Sequence, residues 1–135
     1  MPRDVWGMSL EVWQEPDAKS AYVMGVDTAE GLWHGHIAPD ILAEEVHAVG
    51  LWYRDALCCV ESNNHGLTTI TELRHLGYPN LFRRRQLNNV KNRIGQEYGW
   101  KTTRTSKPLM IDDLSSALRN WELHINDRHT VAELR

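Results

Sequence analysis

Short apolar runs alternate along the chain with stretches in which apolar residues recur every three or four positions. Residues 22–26 (YVMGV) form a compact apolar run that ends at Asp27. Residues 32–37 (LWHGHI) alternate apolar and polar side chains, as a half-exposed strand does. Residues 56–60 (ALCCV) are continuously apolar, which favours a strand buried on both faces. The pattern predicts three strands.

Two helices are predicted around the third strand. Pro39 and Asp40 open the first helix, and the polar residues 62–64 offer capping groups for the second, which stops at Gly77. In each helix the apolar residues recur at helical spacing. In the first they are Leu42, Val46, Val49 and Tyr53. In the second they are Leu67, Ile70 and Leu73.

The pattern is weaker beyond residue 80. Leu81 and Phe82 begin a further short strand, and a basic segment at 83–107 follows. Ser106 is then predicted to cap a helix with an apolar face, and residues 123–125 to form a last short strand. The helix face is Met110, Leu114, Ala117 and Leu118. The order of elements predicts a layered α/β domain.

The final residues predict a helix that starts where the chain ends. Thr130 and Glu133 have the spacing of a capping box, in which each side chain satisfies a free amide of the first turn. A single helical turn cannot sustain itself, because nucleation is costly and stability comes from packing over several turns. We therefore expect the domain to lack its C-terminal part.

Length and composition are those of one folded domain, residues 1–135. The chain has 135 residues, of which 41% are hydrophobic and 24% charged, far from the composition of disorder. No apolar stretch is long enough for a membrane span or a signal peptide, which favours an intracellular protein. The adjacent Cys58 and Cys59 lie in an apolar run and are expected to be buried strand residues.

Charge is distributed unevenly. The segment 83–107 contains one acid, Glu97, and carries +7, so the remainder carries -10 in a chain whose formal net charge is -3. The basic residues are Arg83, Arg84, Arg85, Lys91, Arg93, Lys101, Arg104 and Lys107. A basic band on an acidic domain suits contact with a polyanion along one face, and a solvated basic loop is an equally good interpretation.

Two acids, Asp27 and Glu61, each follow an apolar run directly. If the two strands are neighbours, both carboxylates emerge at one edge of the sheet, where open α/β sheets place their ligands. Converging carboxylates repel one another unless a divalent cation such as Mg²⁺ or Mn²⁺ lies between them. Such pairs hold two ions roughly 3.5 to 4 Å apart in phosphodiester hydrolysis. The alternative is a turn residue, Asp27, and a helix cap, Glu61.

Several stretches, in order, resemble one known family. They are YVMGVDTAEG, WHGHIAPDILA, VESNNHGLTTITELRHLGYPNL, YGWKTTRTSKPLMIDDL and HINDRHTVAEL. Together they resemble the ribonuclease-H-like nuclease domain of tailed-bacteriophage large terminase subunits, over roughly residues 20–135, with residues 1–20 as a lead-in. The resemblance implies a mixed sheet flanked by helices, with Asp27 and Glu61 as catalytic metal ligands. Asn63, Asn64, His65 and Gly66 would shape the turn beside them.

The chain departs from the family pattern in two respects. Gly31 runs straight into Leu32 and Trp33, so one strand of the usual hairpin is expected to be missing. The family's third acidic ligand and its C-terminal helix are also expected to be missing, which weakens the two-ion site. The ATPase half of the family's large subunit is also expected to be absent, because no phosphate-binding loop of the G-x-x-x-x-G-K-[ST] type occurs.

The resemblance implies a metal-dependent endonuclease that cleaves concatemeric phage DNA during genome packaging. Its implied cofactor is Mg²⁺ or Mn²⁺, its partners are double-stranded phage DNA, portal protein and the small terminase subunit, and its location is the cytoplasm of the bacterial host. The alternative is a catalytically inactive truncated or prophage-remnant domain that at most binds DNA through the segment 83–107. An actin-like ATPase or sugar kinase would need glycine-rich phosphate loops, which VESNNHG does not supply.

Overall fold

The computed structural model describes residues 12–28, 37–88 and 93–134. These residues form a mixed α/β structure with four helices and small parallel and antiparallel sheets. The elements are β1 Val23–Val26, α1 Pro39–Trp52, β2 Leu57–Val60, α2 Asn64–His75, β3 Arg83–Asn88, β4 Arg93–Tyr98, α3 Ser106–Arg119 and α4 Arg128–Glu133. No helix among the described residues is long and apolar enough to cross a bilayer.

The chain divides into two compact units, Met1–Lys101 and Thr102–Arg135. The first unit contains both sheets and the helices α1 and α2, and the second contains α3 and α4. Of the strand predicted at 32–37, all but Ile37 lies outside the described residues. The place where a hairpin strand is expected to be missing, between Gly31 and Leu32, also lies outside them.

The strands β1 and β2 pair in parallel, with Val23 opposite Leu57 and Val26 opposite Val60. Parallel pairing requires a crossover, and α1 lies in the connection between the two strands. Cys58 and Val60 are each 1% exposed, whereas Cys59 is half-buried. The strand predicted at 56–60 is therefore confirmed, with one face fully buried and the other partly buried.

The core of the first unit lies between β2 and its two helices. Helix α1 contributes Ala43 and Val46, and α2 contributes Ile70 and Leu73. Helix α2 begins and ends as predicted. The Asn63 side chain accepts from a first-turn amide, and Gly77, which follows the C-cap Leu76, has a φ of 73°.

The predicted apolar face of α2 needs one correction, since Leu67 is 54% exposed. The buried stripe is Gly66, Thr69, Ile70 and Leu73, which follows the i, i+3, i+4, i+7 spacing of a helix face. Leu67 lies beside this stripe because each residue turns the helix by about 100°. A polar residue, Thr69, takes the central buried position instead, with its hydroxyl directed to backbone carbonyls.

The basic segment contains an antiparallel hairpin of β3 and β4, which the hydrophobic pattern does not predict. Leu81 forms a parallel bridge with Cys58, and Phe82 donates its amide to the Cys58 carbonyl at 2.8 Å. After β4, the Trp100 amide donates to the Val60 carbonyl at 2.8 Å. The edge of β2 opposite β1 is therefore bonded to the segments on either side of the hairpin. The interpretation of 83–107 as a solvated loop is wrong for these two strands.

Three predictions for the second unit need correction. Ser106 is the first residue of α3 and exchanges hydrogen bonds with Thr103, so it does not act as the cap. Residues 123–125 are not a strand, because no described segment of this unit pairs with them. Helix α4 is capped by Asp127, whose carboxylate accepts from the amides of His129 and Thr130. Thr130 is consequently inside the helix.

Candidate carboxylate site and basic surface

The two acids that follow β1 and β2 lie at the same edge of the parallel sheet. Val26 and Val60 are in register, so Asp27 and Glu61 leave their strands side by side. The Glu61 amide donates to the Val26 carbonyl at 2.8 Å, which continues the ladder to the point where the carboxylates emerge. The prediction that both acids emerge at one edge required β1 and β2 to be neighbours, and they are.

The carboxyl group of Glu61 lies close enough to that of Asp27 to affect its ionisation. The pKa of Asp27 is raised above its ordinary value, first by partial desolvation, then by the hydrogen bond it donates to Glu61 when protonated and by repulsion from the Glu61 charge. Asp27 is exposed and Glu61 is half-buried. The pair is therefore open to solvent on the Asp27 side, and its doubly ionised form is disfavoured.

A network around Asn63 connects the ends of the two strands. The Thr28 hydroxyl donates to Asn63 Oδ1 at 2.6 Å, and Asn63 Nδ2 donates to the Thr28 carbonyl at 3.2 Å. Asn63 Oδ1 also accepts from the Gly66 amide at 2.8 Å, which caps α2. One side chain thus joins the residue after Asp27 to the helix that follows Glu61.

Gly66 allows the first turn of α2 to approach the Glu61 backbone closely. A Cβ at position 66 would lie 1.8 Å from the Glu61 carbonyl oxygen and 3.0 Å from Thr28 Oγ1. Any side chain would therefore push the helix away from the strand end that carries Glu61. The expectation that Asn63 and Gly66 shape the turn beside the acids is confirmed, whereas nothing in the spacing pattern indicated Thr28.

The donor set suits a hard divalent cation, because Asp27 and Glu61 supply carboxylate oxygens. Neighbouring carboxylates of like charge are stabilised by a cation between them. Within the described ranges, no group of three or more His, Cys, Asp or Glu side chains could hold a metal ion. A cation bound here would therefore have two protein carboxylates from the described part of the chain, and water would complete its coordination.

The basic residues of 83–107 are distributed over several positions. Arg83 and Arg85 are exposed on β3, and Arg84, on the other face of the hairpin, forms an ion pair with Glu97. Lys91 lies outside the described residues, and position 93 begins β4. Lys101 ends the first unit, whereas Arg104 and Lys107 are exposed in the second. The hairpin therefore brings together the part of the predicted band that lies on β3.

Tyr98 is the centre of an arginine cluster that the sequence pattern did not reveal in full. The guanidinium carbon of Arg83 lies 4.7 Å from the centroid of the Tyr98 ring, and that of Arg74 lies 4.9 Å from it. Arg74 belongs to the last turn of α2 and is nine positions upstream of the basic segment. Its proximity depends on how α2 packs, so only the fold could reveal it.

Comparison with known proteins adds no relative. Neither a scan against models of protein families nor a search of curated proteins finds a match for this chain. A functional assignment therefore depends on the carboxylate pair, the arginine cluster and the resemblance of the sequence motifs.

Proposed function

We propose that the chain is a terminase-type nuclease domain with a ribonuclease-H-like fold, which cleaves DNA with the help of a divalent cation. The observation that supports this proposal is the meeting of Asp27 and Glu61 at the end of two in-register parallel strands. Those are the two positions that the family resemblance assigns to metal ligands. The reaction class is hydrolysis of a phosphodiester bond.

Asp27 and Glu61 are the residues that would hold Mg²⁺ or Mn²⁺. A divalent ion supplies activation of water and stabilisation of the leaving oxygen in phosphodiester hydrolysis. Asp27, being exposed, is accessible to substrate, and Glu61 is held by the sheet through its amide. Asn63 and Thr28 are positioning residues, because their hydrogen bonds fix the two backbone segments from which the carboxylates project.

The same proposal implies a substrate, partners and a location for the reaction. The substrate is double-stranded phage DNA in concatemeric form, cut when packaging begins and ends. The partners are the portal protein and the small terminase subunit, and the reaction takes place in the cytoplasm of the bacterial host.

A second function is a domain that binds DNA without cutting it. The observation in its favour is that the described residues bring two carboxylates together and not three, while the exposed arginines of β3 remain available. Because phosphoryl transfer depends on accurate ion placement, loss of one ligand would lower the rate by orders of magnitude without affecting contact with phosphates.

A cleavage assay separates the two functions. Supercoiled plasmid is incubated with the whole chain in Mn²⁺, beside Asp27→Asn, Glu61→Gln and a control that removes an acid of the second unit, Asp112→Asn. We expect nicking by the wild type and by Asp112→Asn, and none by the two site variants. Equal nicking by all four proteins would show a contaminating nuclease and contradict the proposal, and no nicking by any would favour the binding function.

A further inference from the structure

Two exposed arginines from two elements lie over one aromatic ring, and a third exposed arginine follows on the same strand as one of them. Arg83 and Arg74 both contact Tyr98, and Arg85 follows two positions after Arg83 on the same strand. The register places Arg83 directly opposite Tyr98 and Arg85 opposite Gln96, on one face of the hairpin. We call Arg74, Arg83 and Arg85 the arginine surface.

We propose that the arginine surface contacts the phosphates of a nucleic-acid backbone. The proposal rests on the proposed function in one respect, that the ligand of this domain is DNA. It replaces the broad band of 83–107 with a defined set of residues, adds Arg74, and leaves out Arg84.

The charge of this surface is available to a ligand. Arg74, Arg83 and Arg85 are all exposed, and among the described residues no carboxylate forms an ion pair with any of them. Arg84 differs, because its guanidinium is bonded to Glu97 and its side chain is 21% exposed. The hairpin thus has one face with a neutralised arginine and one face with unneutralised arginines.

Tyr98 holds the guanidinium groups in place before a ligand arrives. The ring is half-buried and packs against the hydrophobic core, so it is a fixed platform. A planar guanidinium stacked on a fixed ring loses less freedom when it binds than a mobile side chain does, and its fork of donors suits phosphate oxygens. Arg83 and Arg85 are separated by about 6.6 Å along the strand, at roughly 3.3 Å per residue. That distance is about two nucleotide steps of roughly 3.4 Å each, measured along the axis of a duplex.

The surface favours a nucleic-acid backbone over two other partners. A base would need a free aromatic face for stacking, whereas the Tyr98 ring is in contact with guanidinium groups and the core. A membrane surface requires exposed apolar side chains beside the basic residues, and here the aromatic ring packs inward. Phosphate contacts carry no sequence information, so binding should be independent of sequence.

Binding is tested with the whole chain and a fluorescein-labelled duplex by anisotropy, in EDTA so that nothing is cut. The variants are Arg74→Ala, Arg83→Ala, Arg85→Ala and their triple combination. Arg119→Ala is a control of matched charge on α3. Each single variant should lower affinity several-fold, and the slope of log K against log salt should fall by about 0.9 per arginine, hence by about 2.7 in the triple variant. Arg83→Lys should retain the wild-type slope.

Several outcomes would overturn the proposal. An unchanged slope in the triple variant, or an equal loss in Arg119→Ala, would show that overall charge and not this surface binds DNA. Binding to phosphatidylserine vesicles without binding to duplex would assign the surface to membranes. A melt by circular dichroism shows that each variant is folded. The failures of the two proposals are distinguishable. An unchanged salt slope in the triple variant would overturn this inference whatever the cleavage assay shows, whereas absence of wild-type cleavage together with a slope that falls in the triple variant would overturn the nuclease proposal alone.

Discussion

Individual side chains near Asp27 and Glu61 determine whether the two strand ends stay together. Asn63 uses both polar atoms of its side-chain amide: Oδ1 accepts from the Gly66 amide and caps α2, and Nδ2 donates to the Thr28 carbonyl. Gly66 lets the helix approach the Glu61 backbone. The site is therefore sensitive to substitutions that do not touch the carboxylates.

Replacing Gly66 by alanine should be costly, and Gly25→Ala provides a matched control. The new Cβ at position 66 would lie 1.8 Å from a backbone oxygen, which cannot move aside as a flexible side chain can. We expect a loss of about 3 kcal/mol in the free energy of unfolding, the upper end for overpacking. At Gly25 nothing lies within 4 Å of the added atom, so the change should stay within about 0.5 kcal/mol. Urea unfolding measures both, and equal losses would contradict the close approach.

The Asn63 network predicts different effects of two substitutions. Asn63→Ala removes the cap of α2 and the hydrogen bonds to Thr28. Loss of the cap should lower the free energy of unfolding by about 1 kcal/mol, and loss of each bond to Thr28 by about 1 kcal/mol. Asn63→Asp keeps an acceptor for Gly66 and should cost less, although it loses the donor to the Thr28 carbonyl. The free energy of unfolding in urea tests the order, and equal costs would mean that the cap contributes nothing.

Tyr78 should titrate unusually late. Burial, followed by the nearby Cys58 and Asp55, raises its pKa to about 12, and its hydroxyl donates to the Ala56 carbonyl at 2.6 Å. Because the folded pKa lies above the ordinary value, the contribution to stability is complete below about pH 10 and is lost as pH rises towards 12. Tyrosinate absorbance should show a transition near pH 12 that Tyr78→Phe removes. If Tyr78→Phe instead removed a component that titrates near pH 10, Tyr78 would be solvated and the assignment would be contradicted.

Sequence reasoning at this scale works for residues whose role depends on local order. The neighbouring placement of Asp27 and Glu61 could be predicted because each follows an apolar run, and the cap Asn63 because caps precede helices. Thr28 and Arg74 could not, since the first acts through a bond to a residue 35 positions away and the second through a ring contributed by another element.

At the scale of elements, the strands and helices with a clear apolar face were predictable. Strands β1 and β2 and helices α1 and α2 fall within a few residues of the predicted positions. The hairpin β3–β4 was not predictable, because its sequences RRRQLN and RIGQEY lack the alternation of a half-buried strand. Its pairing depends on cross-strand partners such as Arg84 and Glu97, which a single segment does not reveal.

The cap of α4 gives this short helix a pH dependence. Hydrogen bonds from the Thr130 side chain and from the amides of Thr130 and His129 lower the pKa of Asp127. A lowered folded pKa means that the contribution is present above the ordinary aspartate pKa and is lost as pH falls through the folded value. The amide resonances of His129 and Thr130 should therefore move towards unstructured positions in acid. Asp127→Asn, which can still cap, should remove this dependence, and a dependence that persists would contradict the assignment.

At the scale of the whole molecule, the residues of the carboxylate site and the arginine surface all belong to Met1–Lys101. The basic band of the sequence, by contrast, crosses into Thr102–Arg135. The mixed α/β class followed from the order of periodic segments, but the division into two units did not, because it depends on contacts between segments distant in sequence.

The central claim is that Asp27 and Glu61 form a cation site, and thermal unfolding with and without Mn²⁺ tests it most directly. A ligand at 100 times its dissociation constant adds about 2.7 kcal/mol, which raises the melting temperature of a chain this size by about 10 °C. Asp27→Asn should melt slightly higher than the wild type without metal, because it removes a like-charge pair worth roughly 0.2 to 1 kcal/mol near the surface. The same variant should lose the rise caused by Mn²⁺. A wild-type melt indifferent to Mn²⁺, or an equal rise in Asp27→Asn, would contradict the account.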